Sequence, residues 1–319
     1  MTKELAMRNI TRSQSRLVVQ LASSLLLACA TTTSQQATPS VDMPAPAVPA
    51  PPRQIVDNSA ALTKLVAQRA PGELALADPD AIYWDSVVGG TVTLMGQPMV
   101  NPKPEATTTD ALQIQALHDG TRIAFRLRWK DPEVSEAGQL AKYSDAVALE
   151  FPQRDDVVPA VMMGGPGTPV QLYHWRAQYQ RDEQHGKPTI TDLYPNASVD
   201  MYMHEYKTAA VSNKEAAERY QPAKAVGNPQ AYRKRAVDVL LAEGFSTSAV
   251  QENDGAVALG AWKDGYWSVV IVRPLQSTVG SAIKAAAQNY VAFAIWQGGK
   301  NEVGSRKCVT MAWTPLELQ

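Results

Sequence analysis

TRIAFRLRW, residues 121–129, alternates apolar side chains with arginines and one alanine. Ile123, Phe125, Leu127 and Trp129 fall on one side of an extended chain, because successive side chains of a strand point to opposite faces. This period of two is typical of a strand with one buried face and one face in water. The stretch therefore predicts a sheet that covers a core on one side.

Two Asp-Gly pairs predict turns between such strands. Asp119-Gly120 separates an alternating run at 112–116 from TRIAFRLRW, and Asp264-Gly265 separates VALGAW from YWSVVIV. An Asp-Gly pair between alternating runs is a strong signal for a hairpin. Further strands are predicted at Thr91–Met95, Ala146–Phe151, Val170–Trp175, Val291–Trp296 and Val309–Trp313.

Helical patterns are few and interrupt this β pattern. Residues 212–243 contain NKEAAERY and YRKRAVDVLLAEG, and the second segment predicts a helix that ends at Gly244. A short helix is also predicted at Ser59–Gln68, with Asn58 as its cap. The expected fold class is mainly β: an antiparallel β-sandwich, immunoglobulin-like or carbohydrate-binding-module-like, with a helical insertion at about 212–243. In the second helical segment the shared apolar face consists of Ala236, Val237, Leu240 and Leu241.

Residues 1–28 are predicted to be an export signal, because arginines precede an apolar run too short to span a bilayer. The run ends in Leu-Leu-Ala-Cys at Cys29, which resembles a bacterial lipoprotein signal. That resemblance implies cleavage before Cys29 and a lipid on its sulfur; the alternative is an ordinary secretory signal. Ala30 follows the cysteine, and by resemblance to lipoprotein sorting this favours the outer membrane, with the protein facing the periplasm.

Three regions follow from these patterns. Residues 1–28 are the signal peptide, residues 29–56 form a Pro/Ala/Thr-rich tether, and residues 57–319 form the β-sandwich domain. The formal net charge of −1 gives no indication of a nucleic-acid partner.

The stretch VMMGGPGTPVQLYHWRA, residues 161–177, combines a glycine turn with a predicted strand. It lacks the Lys-Ser or Lys-Thr of a phosphate loop, and a strand rather than a helix follows it. Cys-x-x-Cys-His, zinc-type cysteine pairs and a Gly-x-Ser-x-Gly elbow are also missing from the sequence. We expect His118 to be solvated in a hairpin turn and His174 to be a packed strand residue. Nothing in these patterns indicates acid–base or hydrolytic catalysis.

Five fragments, in order along the chain, resemble the haem b subunit of the ethylbenzene dehydrogenase and dimethylsulfide dehydrogenase group. These are γ subunits of molybdoenzymes related to dimethyl sulfoxide reductase, and the resemblance covers roughly residues 80–318. The fragments are MMGGPGTPVQLYHWRA (162–177), DLYPNASVDMY (192–202), LLAEGFST (240–247), GAWKDGYWSVVIVRPL (260–275) and YVAFAIWQGGKNEVGSRKCVTMAWTPLEL (290–318).

The resemblance implies one non-covalent haem b with a methionine and a lysine as axial ligands. It places the methionine at Met163 and the lysine at Lys307, and it leaves Arg176 and Arg273 as candidates to bind the haem propionates. A thioether is a soft ligand that favours ferrous iron, and a lysine ligates only as the neutral amine. Two protein ligands leave no open iron position, so electron transfer rather than catalysis is expected.

Alternatives remain open for each of these residues. Met163 is also consistent with core packing, and Met162 is its direct competitor because adjacent strand residues face opposite ways. Lys307 is also consistent with a protective charge on an edge strand. Rival lysines are Lys263, Lys284 and Lys300; Trp175, Trp267, Trp296 and Trp313 are expected in the core, and Cys308 as a small buried residue.

The resemblance therefore implies a periplasmic electron carrier that exchanges single electrons with a molybdopterin oxidoreductase, its iron–sulfur subunit or a soluble c-type cytochrome. The predicted lipid anchor at Cys29 departs from the soluble subunits of the family. The chain could thus be a free-standing anchored cytochrome. Two other hypotheses are a non-haem β-sandwich module that binds carbohydrate and a structural envelope lipoprotein.

Overall fold

The structure is a computed structural model. It describes residues 58–319 apart from 75–76, 137, 155, 197–221, 229–230, 232 and 234. The predicted signal peptide, Cys29 and the tether at 29–56 lie outside the described residues, and so does the NKEAAERY segment. No helix among the described residues is long and apolar enough to cross a membrane.

The protein is mainly β, as the alternating patterns predict. Within the described residues there are fourteen strands, two 3₁₀ turns (Ile82–Ser86 and Gly298–Lys300) and three short helices, α1 (Ala177–His185), α2 (Ile190–Leu193) and α3 (Pro222–Ala225). The strands are β1 (Leu65–Arg69), β2 (Gly90–Thr93), β3 (Met95–Gly96), β4 (Ala111–His118), β5 (Arg122–Lys130), β6 (Ala146–Pro152), β7 (Val170–Arg176), β8 (Val237–Ala242), β9 (Ala249–Val250), β10 (Val257–Lys263), β11 (Tyr266–Pro274), β12 (Asn289–Trp296), β13 (Cys308–Val309) and β14 (Thr314–Leu318).

TRIAFRLRW forms β5, and the face of the strand that was predicted to cover a core is buried. On this face Ile123, Phe125 and Leu127 are fully buried and Trp129 is 1% exposed. The hairpin before it turns at Asp119-Gly120. The Asp119 carboxylate accepts the backbone N–H groups of the two residues that follow the glycine. Burial alone would raise the pKa of Asp119, but these bonds and a third from the backbone N–H of Leu74 hold it well below its usual range. The second predicted hairpin, at Asp264-Gly265, joins β10 to β11.

The strands follow the order β10-β11-β5-β4-β1-β14-β12-β6-β7-β8-β9, and β1 is parallel to both of its neighbours while the other pairs are antiparallel. The two halves of this sheet pack face to face. Phe125 on β5 lies 5.7 Å from Phe151 on β6, and Trp129 lies 6.5 Å from Trp175 on β7, between ring centroids. The predicted sandwich is therefore confirmed, with β1 and β14 joining its two layers.

Two helix predictions are wrong. Within Ser59–Gln68 the last four residues belong to strand β1, and the segment predicted as a helix up to Gly244 contains strand β8, which pairs with β7. Apart from Asp238, the run VDVLLA is apolar on both strand faces, because Val237 and Val239 enter the core and Leu240 borders a cavity. A short run that is almost entirely apolar does not distinguish a strand from a helix. Of the three helices, only α3 lies within the predicted insertion at about 212–243; α1 and α2 precede it.

Smaller differences concern strand ends and one histidine. Only Val309 of the predicted strand Val309–Trp313 lies in a strand, β13, and the rest of that segment connects β13 to β14. The predicted strand Thr91–Met95 is divided between β2 and β3. His118 is buried rather than solvated, because it is the last residue of β4 and its Nε2 lies 2.8 Å from the carbonyl oxygen of Gln319.

Candidate functional site

The outer face of strands β12, β6 and β7 forms a floor of small side chains. On β6, three apolar residues point into the core, whereas Ala146, Ala148 and Glu150 point to the opposite face. The strand register sets Ala148 between Ala294 on β12 and His174 on β7. Two alanines side by side leave space above the sheet that larger residues would fill.

A cavity of about 350 Å³ lies above this floor. Ala148, Leu172 and Leu240 line its base, and His174, Arg176 and Trp296 line its sides. Residues from the segments 97–101, 162–163, 245–248 and 304–307 complete the lining. The segments that hold the two predicted iron ligands therefore face the same space.

Met162 and Met163 occupy the turn before β7, and both line the cavity. They pack in different directions. Met162 contacts the cluster of Ala146, Ala148 and Trp296, whereas Met163 contacts the cluster that contains Leu172. The backbone N–H of Met163 donates to Glu150 Oε1 at 2.9 Å, and its carbonyl accepts from the N–H of Gly244 at 2.7 Å.

Lys307 reaches the same cavity from the segment before β13. Its Nζ lies 3.9 Å from Met163 Sδ and 5.1 Å from the centre of the Trp296 ring. Burial lowers the pKa of the Lys307 amine, and the charge of Glu150 partly opposes this. Among the described residues, the sulfur is the only hydrogen-bond partner that the structure gives this amine. A thioether is a weak acceptor, so the amine lacks the strong partners that a buried ammonium needs.

The Met163 thioether and the Lys307 amine are therefore two neighbouring donor groups that line the same cavity. A thioether, and an amine in its neutral form, can each donate a lone pair to a metal ion. The described residues contain no group of three or more His, Cys, Asp or Glu side chains placed to hold a metal ion.

Glu150 is a buried carboxylate that the sequence analysis missed. Burial raises its pKa to about 7, while the Lys307 charge and the backbone N–H groups of Met163 and Met162 lower it. The alternation along β6 could have drawn attention to Glu150, because Glu150 shares a strand face with Ala146 and Ala148, opposite the core residues of the same strand. The sequence did not reveal that this second face is also covered.

His174 is packed, as predicted, and it also borders the cavity. Its ring stacks on Trp296 with centroids 4.7 Å apart. Burial lowers the pKa of His174 well below its usual range, and the nearby charges of Arg176, Lys307 and Arg233 act in the same direction. The imidazole is therefore neutral at physiological pH.

The two arginines predicted for propionates are in different environments. Arg176 lines the cavity and lies over the Tyr179 ring at 4.7 Å. Arg273 is fully buried elsewhere in the core, between Phe151 and Tyr173, each 4.8 Å from the guanidinium carbon. Its donors bind the hydroxyl and carbonyl of Ser281 and the carbonyl of Pro274. The structure therefore does not bring Arg273 to this cavity, and its guanidinium is already hydrogen-bonded.

The rival lysines, the tryptophans and Cys308 lie in different parts of the structure. Lys263, Lys284 and Lys300 are exposed, and none of them lines this cavity. Trp175 and Trp267 lie in the core, with ring centroids 5.1 Å apart. Trp296 borders the cavity, Trp313 packs beside Met163, and Cys308 is fully buried with its sulfur 3.4 Å from Thr108 Oγ1.

Comparison with known proteins gives a consistent set of relatives. A family model described as ethylbenzene dehydrogenase matches residues 81–308. A Haloferax mediterranei protein named as a respiratory nitrate reductase haem subunit is 24% identical over 259 residues, which cover 79% of this chain and 74% of the relative. The γ subunit of dimethylsulfide dehydrogenase from Rhodovulum sulfidophilum is 24% identical over 247 residues (74% and 73%). The γ subunit of chlorate reductase from Ideonella dechloratans is 25% identical over 247 residues (76% and 80%).

Two solved structures were also found to be similar to this chain. A family 9 carbohydrate-binding module from Caldicellulosiruptor kristjanssonii, in complex with glucose, has a TM-score of 0.40 and 7% identity, and covers 80% of this chain and 95% of that one. A Bacteroides uniformis protein described as carbohydrate-binding also has a TM-score of 0.40 and 7% identity, and covers 82% and 99%.

Proposed function

Because the chain belongs to the ethylbenzene dehydrogenase family, we propose that it is a haem-binding electron-transfer protein and not itself a catalyst. The names of its relatives support this. One is a haem subunit of a respiratory nitrate reductase, and two are γ subunits of dimethylsulfide dehydrogenase and chlorate reductase. All three names describe subunits of oxidoreductases.

The observation that carries the proposal is the 3.9 Å approach of Met163 Sδ to Lys307 Nζ at a cavity with an alanine floor. We propose these two side chains as the axial ligands of one non-covalent haem b. A haem held by two protein ligands supplies reversible one-electron transfer and offers no open iron position to a substrate.

The chain's own residues account for the remaining requirements of such a site. Burial favours the neutral Lys307 amine, whose lone pair is then free to bind a metal. Ala148 and Ala294 leave room beside the backbone, and Leu172 and Leu240 make the base of the cavity apolar. Arg176 is the candidate that remains for a propionate, because its side chain lines the cavity and its charge suits a carboxylate.

We also propose the cellular setting. The partner is a molybdopterin-containing oxidoreductase, an iron–sulfur subunit or a soluble c-type cytochrome. The sequence at residues 1–29 supports export, lipid attachment at Cys29 and a position on the periplasmic side of the envelope, with the outer membrane favoured.

The test is the visible spectrum of the protein expressed in the periplasm with haem available, first air-oxidised and then reduced with dithionite. We expect a sharp low-spin α band on reduction and a pyridine haemochrome of the b type. Met163→Ala and Lys307→Ala should each produce high-spin iron. A colourless protein that takes up no added haem would contradict the proposal and favour a non-haem binding module.

A further inference from the structure

The turn that carries the proposed methionine ligand has an unusual backbone. Met162, Met163 and Gly164 are consecutive and all have positive φ, at 75°, 76° and 66°. Glycine adopts this region readily, but residues with a Cβ do so at a cost. A Cβ at Gly164 would also lie 2.5 Å from the Thr168 carbonyl oxygen. Two successive methionines in this region persist only where surrounding contacts hold them.

Glu150 provides such a contact from the neighbouring strand. Its Oε1 accepts a hydrogen bond from the N–H of Met163 at 2.9 Å. The backbone N–H of Met162 also interacts with the Glu150 carboxylate and lowers its pKa. From the other side, the N–H of Gly244 donates to the carbonyl of Met163 at 2.7 Å. The peptide groups on both sides of Met163 are thereby fixed. Glu150 is buried in the regular part of β6, so its position does not depend on the turn.

The backbone of this turn decides which methionine faces the lysine. Met162 packs against the alanine side of the floor, whereas the Met163 sulfur meets the Lys307 amine. A change of φ at either residue would redirect both side chains, since they are adjacent. Glu150 therefore binds the part of the backbone that determines which of the two methionine sulfurs faces Lys307.

We propose that Glu150 is a positioning residue: by accepting backbone N–H groups of the turn, it holds the Met163 thioether against Lys307. The inference rests on the proposed function in one respect, because the haem iron is the target of that thioether. The competing role for Glu150 is that of a counter-ion to Lys307, because the charge of each of these groups shifts the pKa of the other.

Two conservative variants separate these roles. Glu150→Gln keeps a carbonyl oxygen of the same reach and removes the charge. Glu150→Asp keeps the charge and withdraws the oxygens by one methylene. A positioning role requires that Gln works and Asp fails; a counter-ion role requires the reverse. Glu183→Gln is the matched control, because Glu183 also accepts a backbone N–H, that of Ala236 at 2.8 Å, and does not line the cavity.

The first measurement uses the full-length protein without haem, labelled with ¹³C-methyl methionine, with the Met163 signal assigned by Met163→Leu. We expect Glu150→Asp to shift or broaden the Met163 methyl signal, and Glu150→Gln and Glu183→Gln to leave it in place. An unchanged signal in Glu150→Asp, or a displaced one in Glu150→Gln, would overturn the proposal. This measurement does not depend on haem binding.

The second measurement titrates haem b into the same variants and records spin state and affinity. We expect Glu150→Asp to weaken haem binding by about tenfold or more and to add a high-spin fraction, with Glu150→Gln within about twofold of wild type. If wild-type protein takes up no haem, the proposed function fails, while the methyl signal still decides whether Glu150 positions Met163. Equal defects in both variants would overturn the positioning role.

Discussion

The sulfur of Met163 and the amine nitrogen of Lys307 lie 3.9 Å apart, although 144 positions separate the two residues. Their proximity is a product of the sheet order. The methionine turn precedes β7, which pairs with β6, and the lysine segment precedes β13, which pairs with β12 on the other side of β6. The two segments therefore meet above β6 and its alanines.

Replacement of each methionine should have different consequences. Met163→Ala should convert the haem-loaded protein from low-spin to high-spin, because it removes the sulfur beside Lys307. Met162→Ala should preserve the low-spin spectrum, since Met162 packs towards the alanine floor and Trp296. Either change should cost about 1–2 kcal/mol of stability in the haem-free protein. Low-spin iron in Met163→Ala together with high-spin iron in Met162→Ala would reverse the assignment of the ligand.

A larger side chain at Ala148 should block the cavity without unfolding the protein. Ala148→Leu projects into the space of about 350 Å³ rather than into the core. We expect the free energy of unfolding to remain within about 1 kcal/mol of wild type, while haem uptake is lost. Ala249→Leu, at an exposed position of β9, is the control and should take up haem normally. Normal haem uptake by Ala148→Leu would show that haem binds elsewhere.

Asp131 should make stability depend on pH. Burial and then the charge of Asp145 raise the pKa of Asp131 to about 7, from 3.8 in an unfolded chain. The folded protein therefore holds a proton that the unfolded chain releases. Between about pH 4 and about pH 7 stability should fall as pH rises, and this group should add no further change above that range.

Chemical unfolding of wild type and Asp131→Asn at about pH 5 and about pH 8 measures this contribution. The variant cannot ionise, so its midpoint should decrease less between the two pH values. Asp110→Asn removes an exposed carboxylate and should behave like wild type. An equal decrease in wild type and Asp131→Asn would exclude Asp131 as the cause.

Gly298 should tolerate no side chain. A Cβ there would collide with the backbone carbonyl of Tyr143, and the Gly298 N–H donates to Asp145 Oδ1 at 2.8 Å. We expect Gly298→Ala to destabilise the protein by about 3 kcal/mol, at the upper end for overpacking. Gly72→Ala meets no atom within 4 Å and should change stability by less than about 0.5 kcal/mol. Thermal unfolding of the two variants makes the comparison.

The sequence predicted β5 from its alternation, and it also predicted β6, β7 and β12, although both faces of these strands are largely buried. It failed at β8, where the spacing of the apolar residues also fits a helix and the pairing with β7 determines the strand. It also failed at β1, a short strand whose placement depends on two distant parallel neighbours. Periodicity is a local property, so neither of these tertiary effects could be read from it.

The proposed ligands and Arg176 came from resemblance, whereas the placement of Glu150 and Trp296 did not follow from any pattern. Glu150 and Trp296 belong to different strands, and only the register of β6 against β12 brings their faces to one surface. Arg273 was proposed from the same resemblance, but its side chain is buried in the core and bound to Ser281.

The parallel pairing of β1 with β14 has a consequence for the order in which the protein can form during synthesis. β1 needs β14 as a neighbour, and β14 begins at Thr314. Contacts between such distant segments close large loops, and proteins dominated by them fold slowly. A nascent chain interrupted before Lys307 would contain the methionine but not the lysine, and would lack this partner of β1. Haem uptake should therefore follow completion of the polypeptide rather than accompany its translation.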